Sequence, residues 1–129
     1  MAIKYKTIRQ ATPGKQGGGT YRYYARACER EKKEIKYLAK IIAQRSSLSE
    51  SDVKAVLDEL TSVVPRLLLD NNTVQLGDFG TLSLHLNSRG EATTEDVSWR
   101  SIKDVKVQFR AGLELKKQIK EEIHFQREQ

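Results

Sequence analysis

A broad apolar stripe near the middle of this 129-residue chain most constrains how the chain can fold. Between residues 53 and 68 apolar side chains recur every three or four positions, the spacing of one face of an α-helix of about five turns. Ser49 is a suitable N-cap for this helix, and Asn71 a suitable left-handed stop. Pro65 lacks a backbone donor and should kink the helix or disturb its last turn. So wide a stripe in so short a chain needs a second surface to cover it, which predicts a dimer.

Other periodic segments flank this helix. Apolar spacing predicts a preceding helix over 33–45 and a closing helix after Gly112 that fades into a polar tail. Alternation of polar and apolar residues predicts two N-terminal strands, over 2–9 and 20–28, joined by a glycine-rich loop over 10–19.

A strand pair is predicted between the long helix and the closing helix. It begins after Asn72, turns at 77–78, runs to Leu86 and turns again at 87–91. The returning strand breaks phase around 101–104, as a bulged strand does.

Charge is unevenly distributed along the chain. The formal net charge is +6, yet the first 45 residues hold twelve basic and three acidic side chains, a net of +9, which leaves −3 for the remainder. This balance predicts an anionic partner. No apolar run approaches the roughly 20 residues of a spanning helix, and the N-terminus lacks the apolar core of a secretory signal. We therefore expect no membrane partner and a cytoplasmic location.

Patterns typical of catalysis or metal binding are missing from the sequence. Cys28 is the only cysteine, which excludes an internal disulfide and a multi-cysteine metal site. His85 and His124 lie far apart and have no metal-type spacing. We expect no enzymatic activity, no metal, no cofactor and no small-molecule substrate.

The order of these elements, together with two local motifs, resembles the HU and integration host factor family of bacterial histone-like DNA-binding proteins. Residues 49–81 are similar to that family's second helix and first turn, with Asn71 where the family usually has glycine. Residues 109–112, followed by Leu115 and Lys116, are similar to the family's Phe-Lys-Pro-Gly segment before its last helix. The resemblance covers 33–121, and the N-terminal strands are typical of a lengthened variant of the family.

The resemblance implies an α+β, HU/IHF-like fold in which two N-terminal helices form the dimer base, followed by a β-hairpin arm and a C-terminal helix, plus an extra N-terminal β segment. The expected domains are a β extension with a glycine-rich loop over 1–32, an HU-like DNA-binding domain over 33–124 and a polar tail over 125–129. The expected dimer core comprises Leu38, Ile42, Val53, Leu57, Leu60, Val64, Leu68, Phe79 and Phe109.

The function implied is that of a homodimeric architectural protein of the nucleoid, which condenses double-stranded DNA largely without reading its sequence. Basic side chains would contact phosphates and release counterions. The family's arms bend DNA with a proline wedge, but here no proline lies between Leu86 and Trp99, which makes wedge-driven bending doubtful. The candidate DNA-binding residues are Lys4, Lys6, Arg22, Arg26, His85, Arg89, Arg100, Lys103, Lys106, Arg110 and Lys116.

Two alternatives stay open at the sequence level. The chain could be a dimeric protein-interaction or scaffold module that keeps the HU fold with weak or no DNA binding, as the acidic arm and the added strands would allow. The tyrosines over 21–24 could stack on single-stranded nucleic acid, although packing within a sheet is favoured. Trp99 is likewise expected to pack on Leu82 or Leu84 rather than on a base.

Overall fold

The structure, a computed structural model, describes residues 1–11 and 20–128, which belong to two compact units. Unit 1 contains residues 1–33 and 119–129, and unit 2 contains residues 34–118.

Unit 1 is built around a three-stranded sheet. Its strands are β1 (Ile3–Ala11), β2 (Tyr21–Ala27) and β6 (Phe125–Arg127), in the order β2-β1-β6. β2 runs antiparallel to β1, and β6 runs parallel to it. Most of the predicted glycine-rich loop, residues 12–19, lies outside the described residues.

The fold layout expected from the sequence is wrong. A two-helix base with a hairpin arm and an appended N-terminal β segment was predicted, whereas the described residues form three helices and six strands in two separate sheets. One cause is β6, which lies where a polar tail was expected. The N–H of Ile3 donates to the carbonyl of His124 at 2.7 Å, and the N–H of Glu128 donates to that of Tyr5 at 2.8 Å. Such pairing by backbone groups leaves no periodic signal in side chains.

Two helices begin unit 2, and both were predicted. They are α1 (Ile35–Gln44) and α2 (Glu50–Leu69), the second of which continues past Pro65 without interruption. The Ser49 hydroxyl accepts a hydrogen bond from the Asp52 N–H at 3.2 Å, which confirms the N-cap. Asn71 has a φ of 65°, which confirms the left-handed stop. The third helix, α3 (Leu113–Glu122), follows Gly112 as predicted.

The apolar stripe of α2 is really two stripes. Val53 and Leu68 are buried and Leu57 and Val64 are half-buried, so this row is covered by the chain itself. A second row of apolar residues, displaced by one residue from the first, is exposed. Its members are spaced at intervals of four, three and four residues. That exposed row comprises Val56, Leu60, Val63 and Leu67.

The second sheet contains β3 (Val74–Gln75), β4 (Gly80–Ser88) and β5 (Ile102–Ala111), in the order β3-β4-β5. Both neighbouring pairs are antiparallel. The register of β4 and β5 shifts between Asn87 and Ser88, where the partner changes from Asp104 to Ile102. This shift confirms the predicted phase break and leaves Lys103 as the extra residue of a bulge.

Two glycines allow neighbouring segments of the chain to lie very close together at the base of this sheet. The N–H of Gly112 donates to the carbonyl of Phe79 at 2.9 Å, and a Cβ at Gly112 would overlap the Asp78 carbonyl. A Cβ at Gly80 would overlap the Phe109 ring. The start of α3 is thereby held against the turn before β4.

The close approach at Gly112 predicts a large stability effect from a single methyl group. Gly112→Ala should lower the free energy of unfolding by about 1–3 kcal/mol, because the obstructing atoms belong to backbone that must shift. Gly90→Ala is the matched control, since no atom lies within 4 Å of its Cβ position, and it should change stability by less than about 0.5 kcal/mol. Urea unfolding followed by circular dichroism measures both variants. Equal stabilities would contradict the proposed contact.

Candidate nucleic-acid interface

The β4-β5 hairpin has one apolar and one polar face, because side chains alternate along each strand. Leu82, Leu84 and Leu86 lie opposite Phe109, Val107 and Val105 on the apolar face. On the other face His85 lies directly opposite Lys106, and Arg110 lies opposite Thr81. Three of the candidate DNA-binding residues therefore share the polar face, and all three are exposed.

The loop that joins β4 to β5, residues 89–101, is closed by a small cluster of polar groups. Ser101 is only 1% exposed, and its hydroxyl donates to Glu91 at 3.0 Å while accepting from the Ser98 N–H at 3.2 Å. The Arg89 Nε lies 2.7 Å from the same Glu91 oxygen. We call Arg89, Glu91 and Ser101 the tip cluster. Its carboxylate neutralises Arg89, one of the candidate DNA-binding residues, so this arginine contributes little free charge.

The remaining candidates of unit 2 are exposed side chains. Lys103 lies at the β5 bulge and Lys116 lies on α3. Arg100 covers the ring of Trp99, with its guanidinium carbon 5.3 Å from the ring centroid. Trp99 is 76% exposed, so the expected packing on Leu82 or Leu84 is wrong. The indole instead belongs to the surface of the loop.

In unit 1 the four candidate cations lie on one face of the sheet. Lys6 lies opposite Arg26, Gln10 lies opposite Arg22, and Lys4 shares their phase on β1. We call Lys4, Lys6, Arg22 and Arg26 the basic face. The Lys4 ammonium lies 3.0 Å from the Glu29 carboxylate, whose hydrogen bond and charge raise the pKa of Lys4. Over residues 1–11 and 20–128, no ion pair engages Lys6, Arg22 or Arg26.

The residues expected in the dimer core fall into two groups. Val53, Leu57, Val64 and Leu68 are covered to differing degrees within the chain. Leu38, Ile42, Leu60, Phe79 and Phe109 are exposed, although the Phe79 and Phe109 rings lie 5.6 Å apart between centroids. The exposed row of α2 adds Val56, Val63 and Leu67, which helical spacing alone does not distinguish from the covered row.

The part of the chain that the structure describes shows neither a metal-binding cluster nor a membrane-spanning helix. No three His, Cys, Asp or Glu side chains come together there in a way that could hold a metal ion. None of the described helices has the length and apolar character needed to cross a membrane.

Comparison with known proteins identifies the family. Residues 1–127 match the model of the HU-HIG family, described as an HU domain fused to wHTH, Ig, or a glycine-rich motif. Because the match spans nearly the whole chain, this protein belongs to the HU-HIG family. No curated protein matches the sequence.

A solved structure supports the same fold. A crystal structure from Bacteroides vulgatus ATCC 8482, described as a "putative bacterial DNA binding protein", aligns with a TM-score of 0.62 and 12% sequence identity. The alignment covers 98% of this chain and 50% of that one, so this chain spans half the length of its structural relative. At this identity the likeness shows the fold alone.

The tip cluster predicts a local effect of removing one hydroxyl. Ser101→Ala leaves the Ser98 N–H and part of Glu91 without a partner, which should lower stability by about 1–3 kcal/mol. Amide hydrogen exchange should accelerate at Arg89, whose N–H donates to the Ser101 carbonyl at 2.9 Å. Ser88→Ala is the control, since within the described residues its exposed hydroxyl donates only to the neighbouring Arg89 carbonyl. Unchanged exchange in Ser101→Ala would show that the cluster does not hold the loop.

Proposed function

We propose that this chain is a homodimeric, HU-like DNA-binding protein that grips duplex DNA through its phosphates with little sequence preference. Membership of the HU-HIG family supports an HU-like role. The structural relative from Bacteroides vulgatus is itself described as DNA binding. In this proposal the chain acts on chromosomal DNA in the bacterial cytoplasm, as an architectural and DNA-condensing component of the nucleoid.

The polar face of the hairpin is the observation on which this proposal rests. Lys106 and Arg110 point from the same side of β5 and lie four residues apart, or about 14 Å at the rise of an antiparallel strand. His85 lies beside Lys106 on the neighbouring strand, and Asp104 is the acidic residue of this face. Basic side chains held on a rigid strand can contact successive phosphates without any base-reading contact.

The tip of the hairpin argues against bending by insertion. Residues 89–101 hold three acidic side chains, Glu91, Glu95 and Asp96, against Arg89 and Arg100, and the tip cluster pairs Arg89 with Glu91. Acidic groups repel the phosphates that border the minor groove, and no proline is present to wedge between base steps. We therefore propose binding along the hairpin face rather than through the tip.

The exposed row of α2 supports dimerisation. Val56 is 62% exposed and Val63 44% exposed, and with Leu60 and Leu67 they form a continuous apolar stripe of helical spacing. Monomeric proteins rarely leave such a row in water. A second copy of the chain presents the same row, which satisfies the self-complementarity of a two-fold interface.

A protein-interaction role is the second candidate function. It is favoured by an apolar groove of about 480 Å³ on the face of the unit 1 sheet opposite the basic face. The groove is lined by Ile3, Tyr5, Ala25, Ala27 and Phe125. Its exposed apolar lining suits a protein partner better than a phosphate backbone.

The duplex-binding proposal predicts the effect of neutralising the hairpin face. The double variant Lys106→Gln/Arg110→Gln should lower affinity for a random duplex roughly tenfold or more at 0.1 M salt. It should also reduce the slope of log affinity against log salt by about 2, one for each lost phosphate contact. Fluorescence anisotropy at several salt concentrations measures both quantities.

The control removes the same two charges elsewhere. Lys36→Gln/Lys40→Gln lies on α1, where neither lysine has an ion pair within the described residues, and should leave the affinity within about threefold, because long-range charge effects are screened. Equal losses in the two double variants would assign binding to net charge alone. A wild-type chain that ignores duplex at low salt would favour the protein-interaction role.

The dimer proposal predicts the effect of a charge on the exposed row. Val63→Glu should shift the protein from dimer to monomer at micromolar concentration, because a carboxylate buried in an apolar interface is strongly disfavoured. Ser62→Glu places the same charge one position away, off the row, and should stay dimeric. Light scattering coupled to size exclusion measures both masses. A dimeric Val63→Glu would locate the interface elsewhere.

A further inference from the structure

The strand register of unit 1 separates the tyrosines of β2 by face. Tyr24 lies opposite Ile8, in the phase of Lys6 and Arg26, and so belongs to the basic face. Tyr23 and Tyr21 lie opposite Arg9 and Ala11, on the other side of the sheet. The sequence alone shows only a tyrosine-rich run, whereas the strand register shows that Tyr24 lies on the same face as Lys6 and Arg26.

The position of Tyr24 among the cations is regular. Along β2 the residues of this face are Arg22, Tyr24 and Arg26, each about 6.8 Å from the next at the rise of an antiparallel strand. Lys6 lies across from Arg26 on the neighbouring strand. Tyr24 is 44% exposed, and its cross-strand partner Ile8 is half-buried. An aromatic ring thus lies between two arginines on a sheet surface, with a lysine nearby.

Such a surface suits a single strand of nucleic acid better than a duplex. A duplex stacks its bases on one another, so a ring on a flat sheet reaches only its backbone. An unpaired base exposes its aromatic face and can stack on a tyrosine, while flanking cations contact the phosphates on either side. Stacking is tolerant of sequence, because every base has such a face.

The opposite face of the same sheet lacks this arrangement. There the Arg9 guanidinium carbon lies 4.3 Å from the centroid of the Tyr21 ring, so that ring already has a cation over it. The rest of that face includes the apolar groove described above. That face also exposes Tyr23, but Arg9 is its one cation in β1 and β2. The basic face instead places Tyr24 among three cations that are free of ion pairs within the described residues.

We propose that the basic face of the N-terminal sheet is a binding site for single-stranded nucleic acid, with an unpaired base stacked on Tyr24 and phosphates on Lys6, Arg22 and Arg26. This site is separate from the hairpin face proposed to hold duplex. It stands or falls independently of duplex binding, since it uses other residues and another state of the nucleic acid.

The test compares tyrosines on the two faces, using the full chain and a fluorescent dT20 oligonucleotide. Tyr24→Ala should weaken dT20 binding by about 5-fold to 100-fold, the usual loss for one stacked base. Tyr24→Phe should keep most of the affinity, because the ring is retained. Tyr23→Ala is the matched control on the opposite face and should bind as tightly as the wild type. Duplex affinity should be unchanged in Tyr24→Ala.

A second measurement covers the case in which Tyr24→Ala fails to fold. Trp99→Phe/Tyr24→Trp carries one tryptophan, at the proposed site, and its fluorescence should be quenched by dT20 as a base stacks on the indole. Repeating the titration with rU20 identifies the source: tighter binding of rU20 would assign the site to RNA, tighter binding of dT20 to DNA.

Three results would overturn the proposal. These are wild-type protein that does not bind either oligonucleotide at low salt, equal affinities of Tyr24→Ala and wild type, and equal losses in Tyr23→Ala and Tyr24→Ala. The double variant Lys106→Gln/Arg110→Gln separates this proposal from duplex binding, because it should lose duplex while retaining dT20.

Discussion

The burial of α2 is the constraint on which the rest of unit 2 depends. α2 has apolar residues in two adjacent rows, and one copy of the chain covers only the row that includes Val53 and Leu68. Each apolar side chain moved from water into an interface contributes on the order of 1.5–3 kcal/mol. Association of two chains through the exposed row from Val56 to Leu67 would therefore be favoured by the free energy of burying these side chains.

Strand alternation then decides which chemistry each sheet presents. In unit 2 the pairing of β4 with β5 sends leucine and valine to one side and His85, Lys106 and Arg110 to the other. In unit 1 the pairing of β1 with β2 likewise gives the sheet two different faces. Tyr24 lies with the cations on the basic face, and the apolar groove lies on the opposite face. A shift of one residue in either register would exchange the faces and disperse both basic surfaces. Position in the register, more than net charge, thus decides which cationic side chains share a face.

Local signals in the sequence predicted local structure well. The Ser49 cap, the Asn71 stop and the phase break before Asp104 each depend on a few neighbouring residues, and each was confirmed. Contacts between distant residues were not predictable in this way. β6 forms through backbone hydrogen bonds to a strand more than a hundred residues away, and the tip cluster joins Glu91 to Ser101 across ten residues. The expected layout was wrong because the residue pattern of a segment was taken to determine its position in the fold as well as its secondary structure.

The mass of the unmodified chain in solution tests the central claim most directly, because the proposed dimer is what would cover the exposed row of α2. Sedimentation equilibrium over a wide concentration range should give twice the mass of one chain at micromolar concentration and above. A mass of one chain at every concentration would mean that the exposed row stays in water. The proposed dimer would then be wrong.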